Sequence, residues 1–165
     1  MKTNFQIGER KVPSVGIIGL NGREMTRAFL RMSKGAANCY HITDKQTRGP
    51  KINVLVAAEA SSVLAEIAPT LGSDDFLIIN SDDKNIFPLL ENSHAKLITY
   101  GFNNRACITA SSVTNDGVQV CVQRGFKGID GTEREPHEFA ARASANENSM
   151  SVLGAAAAWA VLNAN

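Results

Sequence analysis

Four short apolar runs set the strongest limit on how this chain can fold. They are VGIIGL at 15–20, INVLVA at 52–57, FLII at 76–79 and KLITY at 96–100. Runs this short, apolar along almost their whole length, are typical of strands covered on both faces. Because segments with helical spacing separate them, the sequence predicts an α/β fold, with a mainly parallel sheet and flanking helices.

The connecting segments carry the helical and capping signals. Glu24–Met32 places its apolar residues on one face of a helix, and Ser61-Ser62 is a capping pair ahead of a second helix. A further helix is predicted over Ile86–Leu90, and Cys39–Thr43 is predicted as another strand.

The second half of the chain predicts an antiparallel hairpin lobe. CITASSV at 107–113 and VQVCVQR at 118–124 read as two strands joined at Asn115-Asp116-Gly117, because Asp-Gly tolerates the positive φ angles of a tight turn. His137–Arg142 is predicted as a third antiparallel strand. Gly125–Glu135, glycine-rich and charged, is predicted as a mobile loop between strands.

The chain closes on SVLGAAAAWAVL at 151–162, which is apolar around much of a helix and must therefore pack against the sheet or another chain.

With 165 residues, 44% of them hydrophobic, we expect a single domain over 1–165. The net charge is +1 and the charges are scattered, which argues against nucleic acid or a membrane surface as a partner. Three widely spaced cysteines and no apolar leader predict a cytoplasmic protein without a metal site.

Gly16, Gly19 and Gly22 lie between the first strand and the first helix. Glycines there bring backbone amides close to a bound anion, and the helix N-terminus adds partial positive charge. Three interpretations stay open: a tight turn that binds nothing, a dinucleotide loop with Asp44 accepting a ribose hydroxyl, or a nucleoside-triphosphate loop. His41, His94 and His137 are isolated in sequence and are not predicted to be catalytic.

The stretch VGIIGLNGRE at 15–24 resembles the phosphate loop of the Mur ligases, whose pattern is a strand followed by G-x-N-G-K-T-T. Further segments resemble that family in the same order: EASS at 59–62, LIINSDD at 77–83, ACITASSV at 106–113 and the closing helix. The resemblance implies the central, ATP-binding domain of a peptidoglycan-type amide ligase. ATP and Mg²⁺ would be the cofactors of that class.

The resemblance assigns a degenerate phosphate or nucleotide site to Gly19, Asn21, Gly22, Arg23 and Glu24. Arg23 stands where the family has its phosphate-binding lysine, and Glu24 stands where it has the hydroxyl that binds magnesium. A carboxylate at about 4 Å repels a phosphate oxygen by ~4 kcal/mol at an effective dielectric constant of 20.

Three acids, Glu59, Asp82 and Asp83, follow predicted strands and are possible functional residues. Met150, Ser151 and Gly154 replace the family's His and two Asn of H-N-x-x-N, and no D-H-x-x-x-H-G segment lies between Glu59 and Asn80.

These departures predict no catalytic residues, no metal site and no bound cofactor, hence a non-catalytic binding or regulatory module that is not a ligase on its own. The flanking ligase domains are also not expected in this chain. One alternative is the nucleotide-binding part of a split ligase completed by a partner chain, and another is a Rossmann-like dinucleotide binder. A homo-oligomer is expected, because apolar surfaces that flanking domains would cover become exposed.

Overall fold

A computed structural model describes residues 12–43 and 51–163 of the chain. Its strands β1 to β10 are, in order, Ser14–Ile18, Asn38–His41, Val54–Ala57, Phe76–Asn80, Lys96–Tyr100, Ile108–Thr114, Gly117–Val122, Phe126–Lys127, Glu133–Arg134 and His137–Arg142. Its helices α1 to α3 are Gly22–Ser33, Ser62–Ile67 and Ser149–Leu162, and two 3₁₀ segments cover Ala68–Thr70 and Lys84–Leu90. None of these helices is long and apolar enough to cross a membrane.

Eight of the strands form one sheet in the order β10-β7-β6-β5-β4-β3-β1-β2. Neighbouring strands in the part β6-β5-β4-β3-β1-β2 pair in parallel, while β7 pairs antiparallel with both β6 and β10. The prediction of an α/β fold with a mainly parallel sheet is therefore confirmed. The predicted hairpin and third antiparallel strand are present too, and they continue the same sheet rather than forming a lobe of their own.

Helices cover the sheet unequally on its two faces. On one face α1 and α3 pack against a core that runs from β1 across to β7, and this core includes Val15, Phe76 and Val120. On the other face α2 and the 3₁₀ segments cover β1, β3 and β4. Leu77 of β4 is 1% exposed there, whereas its register neighbour Leu97 of β5 is 47% exposed, so the cover ends between these two strands.

Helix α3 is buried almost all round. Every residue from Ser151 to Val161 except Trp159 is buried, and of the two predicted packing partners, the sheet or another chain, the sheet is the one that α3 contacts. The predicted helix over Ile86–Leu90 is instead a 3₁₀ segment with Pro88 inside it. In an α-helix that began at Lys84, Pro88 would lack the N–H that bonds the carbonyl of residue 84, so the regular hydrogen-bond pattern is interrupted there.

The hairpin between β6 and β7 confirms the predicted positive φ angle at Gly117, which is +158°, but not at Asp116. Thr114 pairs with Gly117, so Asn115 and Asp116 form the turn, and neither has a positive φ angle. Gly117 is needed because strand β10 passes very close to it: a Cβ there would overlap the carbonyl oxygen of Ala141.

The prediction of a mobile loop over Gly125–Glu135 is wrong, because Arg134 anchors this segment to helix α3. Strands β8 and β9 form a separate two-stranded ribbon, and Arg134 is only 2% exposed. Its guanidinium donates to the carbonyl oxygens of Ala160 and Val161, at 2.8 and 2.9 Å, and also bonds Asp130. Arg134 therefore binds the carbonyls that the last turn of α3 leaves without helical partners, where a positive charge is favourable.

We predict that Arg134→Met lowers the free energy of unfolding by about 2–4 kcal/mol, because two buried carbonyl groups lose their charged donor. Urea unfolding followed by circular dichroism measures this change. Arg124→Met is the matched control, since Arg124 is exposed at the start of the same connection. Equal losses in the two variants would contradict the role assigned to Arg134.

Candidate functional site

A cavity of about 250 Å³ opens at the carboxyl ends of β1, β3 and β4. Helix α1 leaves β1 towards one face of the sheet, while α2 leaves β3, its neighbour, towards the other. Such a divergence creates the crevice in which open α/β sheets bind their ligands. The cavity is lined by Leu20, Asn21, Met25, Ala58, Glu59, Asn80, Asn148, Met150 and Ser151.

The glycine loop, residues 19–22, forms one wall of this cavity, and close packing explains why glycine stands at two of its positions. Gly19 has a φ of +136°, and a Cβ there would lie 2.8 Å from the Cβ of Ala58. A side chain at Gly22 would overlap the imidazole of His41, which lies at the end of β2. His41 therefore contacts the start of α1, a placement that its isolated position in the sequence could not indicate.

Two amides of the loop are already bonded within the chain. The amide of Gly22 donates to the carbonyl of Gly19 at 3.0 Å, which closes the turn. The amide of Leu20 donates to Oε1 of Glu59 at 2.9 Å. A carboxylate of this chain thus occupies a donor of the loop that would otherwise be available to a bound anion.

Glu24 binds the N-terminus of the last helix. Its Oε1 accepts from the amide of Asn148 at 2.8 Å, and its Oε2 accepts from the hydroxyl of Ser151 at 2.8 Å. Asn148 is the N-cap of α3, and its own side chain accepts from the amide of Met150. Glu24 also lies in the first turn of α1, so one negative charge stabilises two helix N-termini.

The contact resembles a capping box shared between two helices. In an ordinary capping box, an acid in the first turn accepts from the N-cap amide of its own helix. Here the acid of α1 accepts from the N-cap amide of α3 instead. The N-cap of α1, Asn21, makes no capping bond with its side chain. The Asn21 amide group therefore remains available to the cavity that it lines.

An ion pair at the other end of α1 holds the segment that leads into α3. Arg31 donates through both terminal nitrogens to the two carboxylate oxygens of Glu147, and it also bonds the carbonyl of Arg142. The Glu147 side chain is 7% exposed. Because Glu147 directly precedes Asn148, this pair helps to bring the N-cap of α3 to Glu24.

Asp82 and Asp83 organise loops within the chain. The Asp82 carboxylate accepts from the amides of Phe102 and Asn103, at 2.8 and 3.1 Å, and the pKa of Asp82 is lowered by its hydrogen bonds, despite the opposing effect of burial. Asp83 accepts from the amides of Ala60 and Asn85. Neither acid lines the cavity.

Met25 separates the cavity from a buried hydroxyl. Tyr100 is fully buried, and its hydroxyl has no hydrogen-bond partner among the described residues. A Cβ at Gly154 would lie 2.9 Å from Sδ of Met25 and 3.0 Å from the Tyr100 hydroxyl. A side chain at this position would require the flexible end of Met25 to shift.

The structure brings together some of the predicted site residues and not others. Asn21 and Glu59 line the cavity, and Gly19, Gly22 and Glu24 border it. Arg23 is exposed and does not line it. Asp44, the residue of the dinucleotide interpretation, lies outside the described residues. Within residues 12–43 and 51–163, no group of three or more His, Cys, Asp and Glu could hold a metal ion.

Comparison of the chain with protein-family models and with curated proteins finds no match. The class that the described residues define is therefore the structural one: an α/β protein with a mainly parallel sheet and a polar crevice at its carboxyl edge.

The ion pair that supports the site predicts a loss of stability in acid. The hydrogen bond from Arg31 is the main factor that lowers the pKa of Glu147, and the Ser144 amide adds to it. Because the pKa is lower in the folded chain, the stabilisation is complete above the unfolded value of about 4.3 and is lost as pH falls through the folded value. Hydrogen bonds led by that of the Thr132 amide lower the pKa of Asp130 to about 2, so its contribution is lost only in stronger acid.

We predict that Glu147→Gln removes about 1 kcal/mol of stability at pH 7, or ~2–4 °C in Tm, and that the difference from wild type shrinks towards pH 3. Thermal unfolding between pH 7 and pH 3 measures this. Glu91→Gln, at an exposed position, is the control. A difference that stays constant across this pH range would refute the assignment.

Proposed function

We propose that this chain is a non-catalytic binding or regulatory module, derived from a Mur-type amide ligase, whose glycine loop no longer accepts a nucleoside triphosphate. The observation that carries the proposal is the pair of carboxylates at the loop. Glu59 accepts the amide of Leu20, and Glu24 caps α3 from the first turn of α1. Glu59 therefore takes an amide donor that a bound phosphate would need, and Glu24 adds a negative charge to the first turn of the helix that follows the loop.

The charge balance of the cavity supports the exclusion of triphosphate. Among its lining residues there is no Lys, Arg or His, and Glu59 contributes a negative charge. The exposed guanidinium of Arg23 does not line the cavity. A triphosphate would therefore meet repulsion from Glu59 with no cation from the lining to offset it.

The derivation from a ligase is supported by how the departures from the family pattern fit each other. Glu24 replaces the hydroxyl that binds magnesium, Ser151 replaces the first Asn of H-N-x-x-N, and these two side chains bond each other at 2.8 Å. At the position of the second Asn, a side chain on residue 154 would overlap Met25. The changes at the phosphate loop and at the last helix are thus physically coupled.

We predict that the purified chain binds neither Mg-ATP nor NAD(H) with a dissociation constant below ~1 mM, the upper end of typical substrate affinities. Isothermal titration calorimetry measures both. Glu59→Gln removes the repulsive charge, but it leaves the Leu20 amide bonded and adds no cation to the lining, so we expect it to gain little affinity for Mg-ATP. Sub-millimolar binding of Mg-ATP by the wild-type chain would overturn the proposal. Binding of NAD(H) alone would favour the dinucleotide alternative.

Self-association in the cytoplasm is part of the same proposal. On the second face of the sheet, Leu97 is 47% exposed beside the buried Leu77, where the helical cover ends. We expect sedimentation velocity to give a weight-average mass that rises with concentration, and Leu97→Ser to reduce that rise. Lys96→Ser, at the neighbouring exposed position, is the control. A mass equal to that of one chain at every concentration would exclude self-association.

A further inference from the structure

We propose that the cavity between the glycine loop and α3 binds a small molecule that carries a primary ammonium group on a short apolar chain. The inference rests on the proposed function, because it names the ligand class of the same cavity. Three properties of the lining carry it: a carboxylate oxygen without a donor, a charge balance that favours a cation, and an apolar wall beside the carboxylate.

The unpaired acceptor is Oε2 of Glu59. Oε1 of this carboxylate accepts from Leu20, and no described residue donates to Oε2. Asn80, the last residue of β4, already makes two side-chain bonds within the chain: its amide nitrogen donates to the carbonyl of Ala58, and its amide oxygen accepts from the amide of Asp82. Glu59 thus provides a negatively charged carboxylate in the cavity wall, and one of its two oxygens has no donor from the described residues. An ammonium group supplies such donors.

The two helix N-termini near the cavity do not reverse this preference. Partial positive charge at the first turns of α1 and α3 would by itself attract an anion. Glu24 lies in the first turn of α1 and accepts from the N-cap amide of α3, so its charge offsets both ends. With these ends compensated and no cationic side chain in the lining, the charge of Glu59 decides which ligand is favoured.

The rest of the lining matches a short apolar body. Leu20, Met25, Ala58 and Met150 form the apolar part of the wall. Leu20 is 85% exposed, so an alkyl chain would remove apolar surface from water at this residue. The volume of about 250 Å³ lies just below the usual range for drug-sized ligands, so the cavity suits a small molecule. The side-chain amide of Asn21 and the amide nitrogen of Asn148, whose oxygen caps α3, remain as polar groups for a substituent on that chain.

The test is a titration of the full chain, labelled with nitrogen-15, with n-butylammonium chloride, followed by amide chemical shifts. We expect saturable shifts around Leu20, Glu59 and Met150, with a dissociation constant of about 1 mM, as five non-hydrogen atoms allow. Methylammonium should bind more weakly, since each buried methylene contributes roughly fourfold. Butan-1-ol, butyrate and magnesium chloride are the comparison probes, and each should bind at least about tenfold more weakly.

Two variants test the residues. Glu59→Gln should weaken n-butylammonium binding roughly tenfold or more, as expected for loss of a charged acceptor, while Glu66→Gln, at an exposed position on α2, should not. Leu20→Ala alters an exposed side chain without touching the core, and should reduce the preference for n-butylammonium over methylammonium. This second variant keeps the test decisive if Glu59→Gln fails to fold.

Equal binding of n-butylammonium by wild type and Glu59→Gln overturns the inference, as does tighter binding of butyrate or magnesium. Absence of shifts with n-butylammonium at tens of millimolar also overturns it. That failure is distinguishable from failure of the proposed function, which the Mg-ATP titration decides. A chain that binds neither ATP nor the amine keeps the proposed function and loses this inference.

Discussion

The carboxylate of Glu24, bonded at once to the backbone and to a side chain of α3, is the contact on which the arrangement at the carboxyl edge depends. It joins the first and last helices across 124 residues of sequence, and the Arg31–Glu147 pair joins the same two regions across 116. Together the two contacts bracket α1 and align it with α3 on one face of the sheet. Helix α3 has no polar face, so its position must come from contacts at its ends and from burial along its length.

Side chains from elsewhere in the fold also bind the other end of α3. There Arg134 binds the last carbonyls, just as Glu24 and Asn148 bind the first amides. A buried helix leaves unpaired amides at one end and unpaired carbonyls at the other, and each costs free energy unless a partner reaches it. Here an acid from α1 and a base from the β8–β9 ribbon supply those partners with the sign that the helix dipole favours.

The sequence allows prediction of those elements that the pattern of neighbouring residues determines. The short apolar runs are strands whose bounds lie within a few residues of those predicted, and the amphipathic segment after Gly22 is α1. Both could be predicted because the spacing of apolar residues along the chain shows whether one face or both faces of an element are buried. Pro88 is the exception among local signals, since a 3₁₀ segment that contains it stands where a helix is predicted over Ile86–Leu90. The ordered ribbon at Gly125–Glu135 could not be predicted, because Arg134 finds its partners 26 and 27 residues further along the chain.

Some features of the candidate site could likewise be predicted from the sequence, and others could not. That Asn21 and Glu59 would meet at one edge follows from strand order alone, since each comes directly after a parallel strand. The bonding of Glu24 could not be read from the sequence, because its acceptor atoms serve residues beyond position 147. The role of His41 against Gly22 also depends on how β2 lies beside β1, which no spacing in the sequence encodes.

On the proposed descent from a ligase, the coupling of Glu24 to α3 explains why the departures occur together. If Glu24 alone became a threonine, the Asn148 amide and the Ser151 hydroxyl would lose their charged acceptor, and the start of a buried helix would be destabilised. If Ser151 and Gly154 alone became asparagines, one would lie against Glu24, and the other would overlap Met25. A change back at Glu24 therefore removes bonds at the start of the last helix, so the altered loop and the altered helix are linked by direct contacts.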